Sequence, residues 1–131
     1  MKLNAQKEGL AVARGVSVVT ANLPKDTLVA ITGNKTVDKA GANAHVIGRL
    51  VVPAKVAGGQ GTIETRYKEW LDIKAGAAVV AGGFGKLGVP DATTGENTIV
   101  PWVDGTDSIT RLYCVIWNGA ALGGTAEILT F

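Results

Sequence analysis

Three groups of residues have the types and spacing to do chemistry, and each has to be weighed against the plain role its neighbours suggest. Gly83-Phe84-Gly85-Lys86-Leu87-Gly88 reproduces the G-x-G-x-x-G spacing of a dinucleotide-binding turn and follows an apolar run. Such a turn delivers pyrophosphate to the amino end of a helix, and Val89-Pro90-Asp91 directly behind the glycines cannot propagate one. The spacing is that of a glycine hairpin. His45 is the one histidine and Cys114 the one cysteine, so a nucleophile and base pair would need the fold to bring them together. Cys114 lies in the apolar run of residues 112–117, which predicts a buried, reduced thiol of raised pKa and no intrachain disulfide. Glu64, Glu69 and Asp72 could supply the two carboxylates of a glycosidase, which stand about 5 to 10 Å apart. Arg66 and Lys68 interleave with them, as on a charged solvent face. No catalytic residue, no cofactor-binding residue and no metal ligand is expected from these patterns, and the chain is not expected to be an enzyme.

Three of the seven aromatic side chains are tryptophans, which bury large rigid surfaces in cores and at contact hot spots. Trp117 ends a strongly apolar strand and is expected in the core. Trp70 and Trp102 fit an interface better, or the aromatic platform of a sugar-binding site.

The elements that must position these residues are strands and tight reversals. Residues 45–52 form a β-branched run that stops at Pro53, which has no amide to give to a ladder. Gly58-Gly59-Gln60-Gly61 then reverses the chain. In residues 62–73, Ile63, Thr65, Tyr67, Leu71 and Ile73 share one phase and Glu64, Arg66, Lys68 and Asp72 the other, which predicts a half-buried strand. Glu69 and Trp70 break the alternation, so either a bulge resets the register or Trp70 faces outward. Residues 77–81 read as a further short strand.

Upstream, residues 15–20 and 27–32 predict a first hairpin, and the polar residues 36–43 a surface loop. Downstream, residues 90–97, from Pro90 to Asn97, predict a projecting loop, and residues 99–103 an edge strand interrupted by Pro101. Residues 109–117 have the highest strand propensity and belong in the centre, paired with residues 125–131 across Asn118-Gly119. The fold class is all-β, a compact antiparallel β-barrel or β-sandwich with an extended N-terminal arm. Residues 1–14 form the arm and residues 15–131 a single β domain. The phrase apolar-apolar-Ala-Gly recurs at residues 56–58 and 80–82, which shared turn chemistry explains as well as duplication does.

The chain has 131 residues, 13 basic and 11 acidic, for a net charge of +2 without runs of one sign. Nothing there marks a nucleic-acid or membrane partner. No window approaches the roughly 18 consecutive apolar residues of a membrane span, and the amino terminus lacks the apolar core of a signal peptide.

The stretches MKLNAQKEGLAVARGVSVV and IGRLVVPAKVAGGQGTIETRYKEWLDIKAGAAVVAGGFGKLGV, above all the phrase DIKAGAAVVAGGFGKLGV, resemble the small capsid cement or decoration proteins of tailed bacteriophages. The resemblance implies a structural virion protein, made in the bacterial host cytoplasm. It would bind the outer surface of an assembled shell of major capsid protein where capsomers meet, and hold it against internal pressure. It implies a homo-oligomer, a trimer or dimer, and no cofactor. The expected contacts, read from the residues rather than from a family motif, are Met1, Lys2, Leu3, Asn4, Leu10 and Arg14 of the arm, Trp70, Trp102, and the loop bounded by Pro90 and Asn97. The alternative is a small carbohydrate- or host-surface-binding β module that uses Trp70 and Trp102.

Overall fold

The computed structural model describes residues 11–65 and 67–131, and residues 11–14 by their backbone alone. Ten strands follow one another: β1 (Ala11–Val18), β2 (Leu28–Gly33), β3 (Thr36–Lys39), β4 (Gly48–Val52), β5 (Gln60–Thr65), β6 (Glu69–Ala75), β7 (Phe84–Leu87), β8 (Thr98–Pro101), β9 (Cys114–Asn118) and β10 (Thr125–Thr130). A single 3-10 turn, Ile109–Arg111, is the only helical element among the described residues. The fold is all-β, as the sequence predicts.

The strands close into two rings of five, in the orders β1-β3-β2-β4-β5 and β6-β8-β7-β9-β10. Each ring has one parallel pair, β1 with β3 and β6 with β8, and is antiparallel elsewhere. Closure pairs the backbone groups that an open edge would leave unsatisfied. Neither ring has a free edge strand among the described residues.

The second barrel repeats the first strand for strand, and in register except that β1 slips against β5 between Arg14 and Val16 where β6 and β10 run unbroken. Val29 opposite Gly48 corresponds to Gly85 opposite Cys114, and Leu50 opposite Ile63 to Ile116 opposite Ile128. The next pairs, Val52 with Thr62 and Asn118 with Glu127, follow the same one-residue irregularity in both. The turns repeat too. Gly58 N–H donates to Val18 O at 2.8 Å and Gly123 N–H to Ala75 O at 2.9 Å, and both glycines are left-handed, at φ 73° and 84°. Asn22 N–H donates to Ala54 O at 2.8 Å as Val79 N–H does to Ala120 O at 2.9 Å. The phrase that recurs in sequence is not the structural repeat, because the counterpart of residues 56–59 is residues 121–124. Few identities survive between the halves, among them Thr36 with Thr98, Ile63 with Ile128 and Thr65 with Thr130.

Several sequence-based elements are corrected by this topology. Residues 15–20 pair with β3 and β5 rather than forming a hairpin with β2, and residues 36–39 are a strand, not a loop. β1 begins at Ala11, so the backbone of residues 11–14 belongs to the ladder beside β5, with Arg14 opposite Thr62. Residues 62–73 are two strands of different barrels, and the break in alternation at Glu69 and Trp70 marks the passage between them. Residues 77–81 contribute one bridge, Val79 with Ala120. β7 replaces the glycine hairpin, and the central strand starts at Cys114 behind the 3-10 turn. The pairing of the last two strands is as expected.

The second barrel is filled by Ala75, Val79, Ile99, Cys114, Ile116, Ala126 and Ile128. The first is filled by Val16, Val18, Val29, Val37, Ile47, Leu50 and Ile63, and Trp70, Val115, Trp117 and Leu129 of the second barrel join that same cluster. Those four point out of their own barrel and under the other. β9 is therefore buried on both faces, which is why it reads as one continuous apolar run. Burial of each large side chain there contributes roughly 1.5–3 kcal/mol.

Candidate functional site

Two places gather the residues with functional potential: the junction between the barrels, and the loops around β7, β8 and β9. At the junction, β6 pairs with β10 in unbroken register from Glu69 to Lys74, so no bulge forms and alternation sends Trp70 outward. Its indole is 2% exposed and crosses Trp117 edge to face, with ring centroids 5.0 Å apart. Trp70 Nε1 has no hydrogen-bond partner among the described residues. Trp70, expected at a partner interface or in a sugar platform, is used instead between the two halves of this chain. Trp117 is in the core, as expected.

His45 stands at the same junction. Its Nε2 is hydrogen-bonded to the Tyr67 hydroxyl, and its ring meets Phe84 edge-on at 4.9 Å. Cys114 faces the interior of the second barrel, and burial pushes its thiol up to about 12, so the two are not presented to each other as nucleophile and base. The carboxylate group does not converge either. Glu64 pairs with Arg49 at 3.3 Å on the first barrel, whereas Glu69 and Asp72 lie on opposite faces of β6 in the second. Among the described residues no three of His, Cys, Asp and Glu are grouped to hold a metal ion. No helix is long and apolar enough to cross a membrane.

The fingerprint glycines serve packing. A Cβ at Gly85 would sit 2.7 Å from Cys114 Sγ and 2.9 Å from Ile99 Cγ1, inside the second barrel.

The loops are built to hold fixed shapes. Residues 92–97 are exposed throughout, Pro90 and Asn97 stand at the loop's two ends, and the loop is closed by Asp91 N–H on Glu96 O at 2.8 Å. Asp91 accepts from Lys74 Nζ at 2.6 Å with one oxygen and from the Thr93 and Thr94 amides at 2.8 and 2.9 Å with the other. Lys74 and those amides hold the Asp91 carboxyl well below the usual carboxylate range. In the duplicated register this loop is the enlarged counterpart of the turn at Asn34 and Lys35, which in the first barrel touches the second.

Trp102 follows β8, half-buried, with Phe84 edge-on at 6.1 Å and its Nε1 donating to Ser108 O at 2.9 Å. With Pro101, Val79, Val80, Gly83 and Phe84 it lines a shallow groove of about 150 Å³. Beside it, Asp107 accepts from Lys86 Nζ at 2.5 Å and from the Val103 amide at 2.7 Å, which lowers its pKa. The arm contacts expected at Met1, Lys2, Leu3, Asn4 and Leu10 lie outside the described residues. Arg14 is placed only by its backbone, in β1. What sequence reasoning missed is the shared junction, and the signal for it was Trp70 in the polar phase of its strand.

No family model matches this chain, and no curated protein matches it. Among solved structures it is similar to the N base of the head fibre gp8.5 of bacteriophage phi29, at 15% identity over 93% of this chain and 94% of that one. The TM-score is 0.33, a likeness too loose to argue from.

Proposed function

We propose that this chain is a structural protein of a tailed-phage virion, a cement or decoration protein. It binds the outer surface of an assembled shell of major capsid protein at capsomer junctions and stabilises it. The resemblance in sequence suggests the class, and one structural observation supports it. The exposed loop bounded by Pro90 and Asn97 is fixed by Asp91 and Lys74 to a body of two closed barrels. A loop ordered in advance loses little conformational freedom on docking, and many such modest contacts on a symmetric shell add up through multivalency. The grip is by loop and terminal segment. Edge strands, which would have served strand addition, are closed off in both rings.

The test is co-sedimentation of the purified chain with expanded, empty shells of the phage that encodes it, read as copies bound per shell subunit. Saturation at a simple ratio is the expected result. Removal of residues 1–10, which leaves β1 whole, is expected to weaken binding while the thermal unfolding midpoint stays unchanged. Absence of saturable binding to intact shells overturns the proposal.

A further inference from the structure

Inside the chain the two barrels meet end on side. The end of the first barrel, with Ile31, Asn34, Lys35 and His45, rests on the side of the second. There Lys35 N–H donates to Trp117 O at 3.1 Å, Gly119 N–H donates to Asn34 Oδ1 at 3.0 Å, and Lys35 Nζ pairs with Glu127 at 3.6 Å. A cavity of about 200 Å³ remains between them, lined by Ala30, Ile31, Ala44, His45 and Ile47 from the first barrel and closed by Gly82 and Val115 from the second. Such a contact uses two different surfaces. Because the barrels are duplicates, each owns one copy of both, and one end and one side are left over.

The shared register identifies them. Ala30, Ile31 and Ile47 correspond to Lys86, Leu87 and Tyr113, and the segment before β9 sets Thr110 and Arg111 where the segment before β4 sets Ala44 and His45. Those five residues of the second barrel, with Leu112, line an open depression of about 340 Å³. Leu87 there is 51% exposed, and Ile109 next to it in the 3-10 turn is 68% exposed. The leftover side takes Asp26, Leu28, Arg49 and Glu64 from the positions of Gly82, Phe84, Val115 and Leu129. Leu28 is 55% exposed, and Arg49 bridges Asp26 and Glu64. On that side Arg49 stands between two carboxylates, and at the end Lys86 and Arg111 stand beside Asp107.

We propose that the leftover surfaces bind each other between copies: the end of the second barrel of one chain receives the side of the first barrel of the next. End against end would set Lys86 and Arg111 against their own duplicates, while end on side sets them against Asp26 and Glu64 and covers Leu87 and Ile109 with Leu28. The contact is heterologous, so it builds a ring or a row rather than a closed two-fold dimer. It does not depend on the capsid reading, since it concerns the chain alone.

The test is sedimentation velocity of the full chain with two one-sided variants. Leu87→Glu with Arg111→Glu blocks the end, and Leu28→Lys with Glu64→Gln blocks the side. The unaltered chain is expected to associate as concentration rises, each variant alone to associate at least tenfold more weakly, and their equimolar mixture to form a dimer and nothing larger. Arg111→Glu alone, at an exposed side chain, is expected to weaken association about tenfold, and it serves if a double variant fails to fold. A chain that stays monomeric to about millimolar concentration overturns the proposal. So does a mixture that stays monomeric while the unaltered chain associates, or an Arg111→Glu chain that associates undiminished.

Discussion

Trp70 and Trp117 cross edge to face on the outside of one barrel and beneath the other, with their planes at 90° and ring centroids 5.0 Å apart. Both rise from the second barrel, on β6 and β9, and both belong to the core cluster of the first. Truncating either to alanine is expected to cost about 3–5 kcal/mol, because the surrounding barrel walls relax only in part. The edge-to-face pair adds roughly 0.5–1.5 kcal/mol beyond area. A double-mutant cycle of Trp70→Ala and Trp117→Ala, followed by urea unfolding, should therefore show coupling of about 1 kcal/mol. Additivity within about 0.3 kcal/mol would mean that the rings pack independently.

This pair also shows what a single sequence discloses. Strand content, the buried thiol at Cys114, the pairing across Asn118 and Gly119 and the projecting loop at residues 90–97 follow from local propensity and turn chemistry. Those signals act over a few residues. Closure of β1 against β3 and β5 is set by contacts dozens of residues apart, which no local pattern encodes. Residues 62–73 read as one strand because alternation continues across the passage between barrels. The outward phase of Trp70 was legible, but the surface it meets belongs to residues far earlier in the chain. The duplication stayed hidden because what the halves share is register and turns, while their side chains have diverged to Gly48 against Cys114 and Arg49 against Val115.

The loop bounded by Pro90 and Asn97 should lose its anchor in acid. The Asp91 carboxyl, charge-paired with Lys74 and bonded by two amides, titrates lower in the folded chain than in the unfolded one. Its contribution is complete above the ordinary carboxylate range near 4 and is lost as pH falls below it toward the folded value. Asp107 beside Lys86 has the same sign. Thermal melts of Asp91→Asn and the unaltered chain should differ most at pH 7, and the difference should shrink as pH falls through 4 toward 2. A difference that persists unchanged at pH 2 would remove the charge from the explanation.

Cys114 should resist thiol reagents until the second barrel opens. With its pKa pushed up to about 12 by burial, the thiolate at pH 8 is about one part in ten thousand. A disulfide reagent is expected to modify the native chain only at the rate of opening, and one equivalent rapidly in denaturant. The linkage has the opposite sign to that of Asp91. The folded pKa is raised, so stability is intact below about 9 and declines as pH climbs from there toward about 12. Rapid native labelling at pH 8 would show that the barrel interior admits the reagent.

The duplicated register supplies a test of packing that neither barrel offers alone. At one cross-strand position the first barrel pairs Val29 with Gly48 and the second pairs Gly85 with Cys114, so each ring holds one glycine and one filling side chain, on opposite strands. A side chain at Gly85 would press on Cys114 Sγ at 2.7 Å and Ile99 Cγ1 at 2.9 Å, and neither can leave a filled interior. Gly85→Val is therefore expected to destabilise by about 1–3 kcal/mol or more through overpacking. Gly85→Val combined with Cys114→Gly recreates the arrangement of the first barrel, in which Val29 is fully buried opposite a glycine. The double variant should recover most of the lost denaturation midpoint. If instead it is as unstable as the sum of the two single changes, the two rings are alike in strand pairing but not in how they fill their interiors.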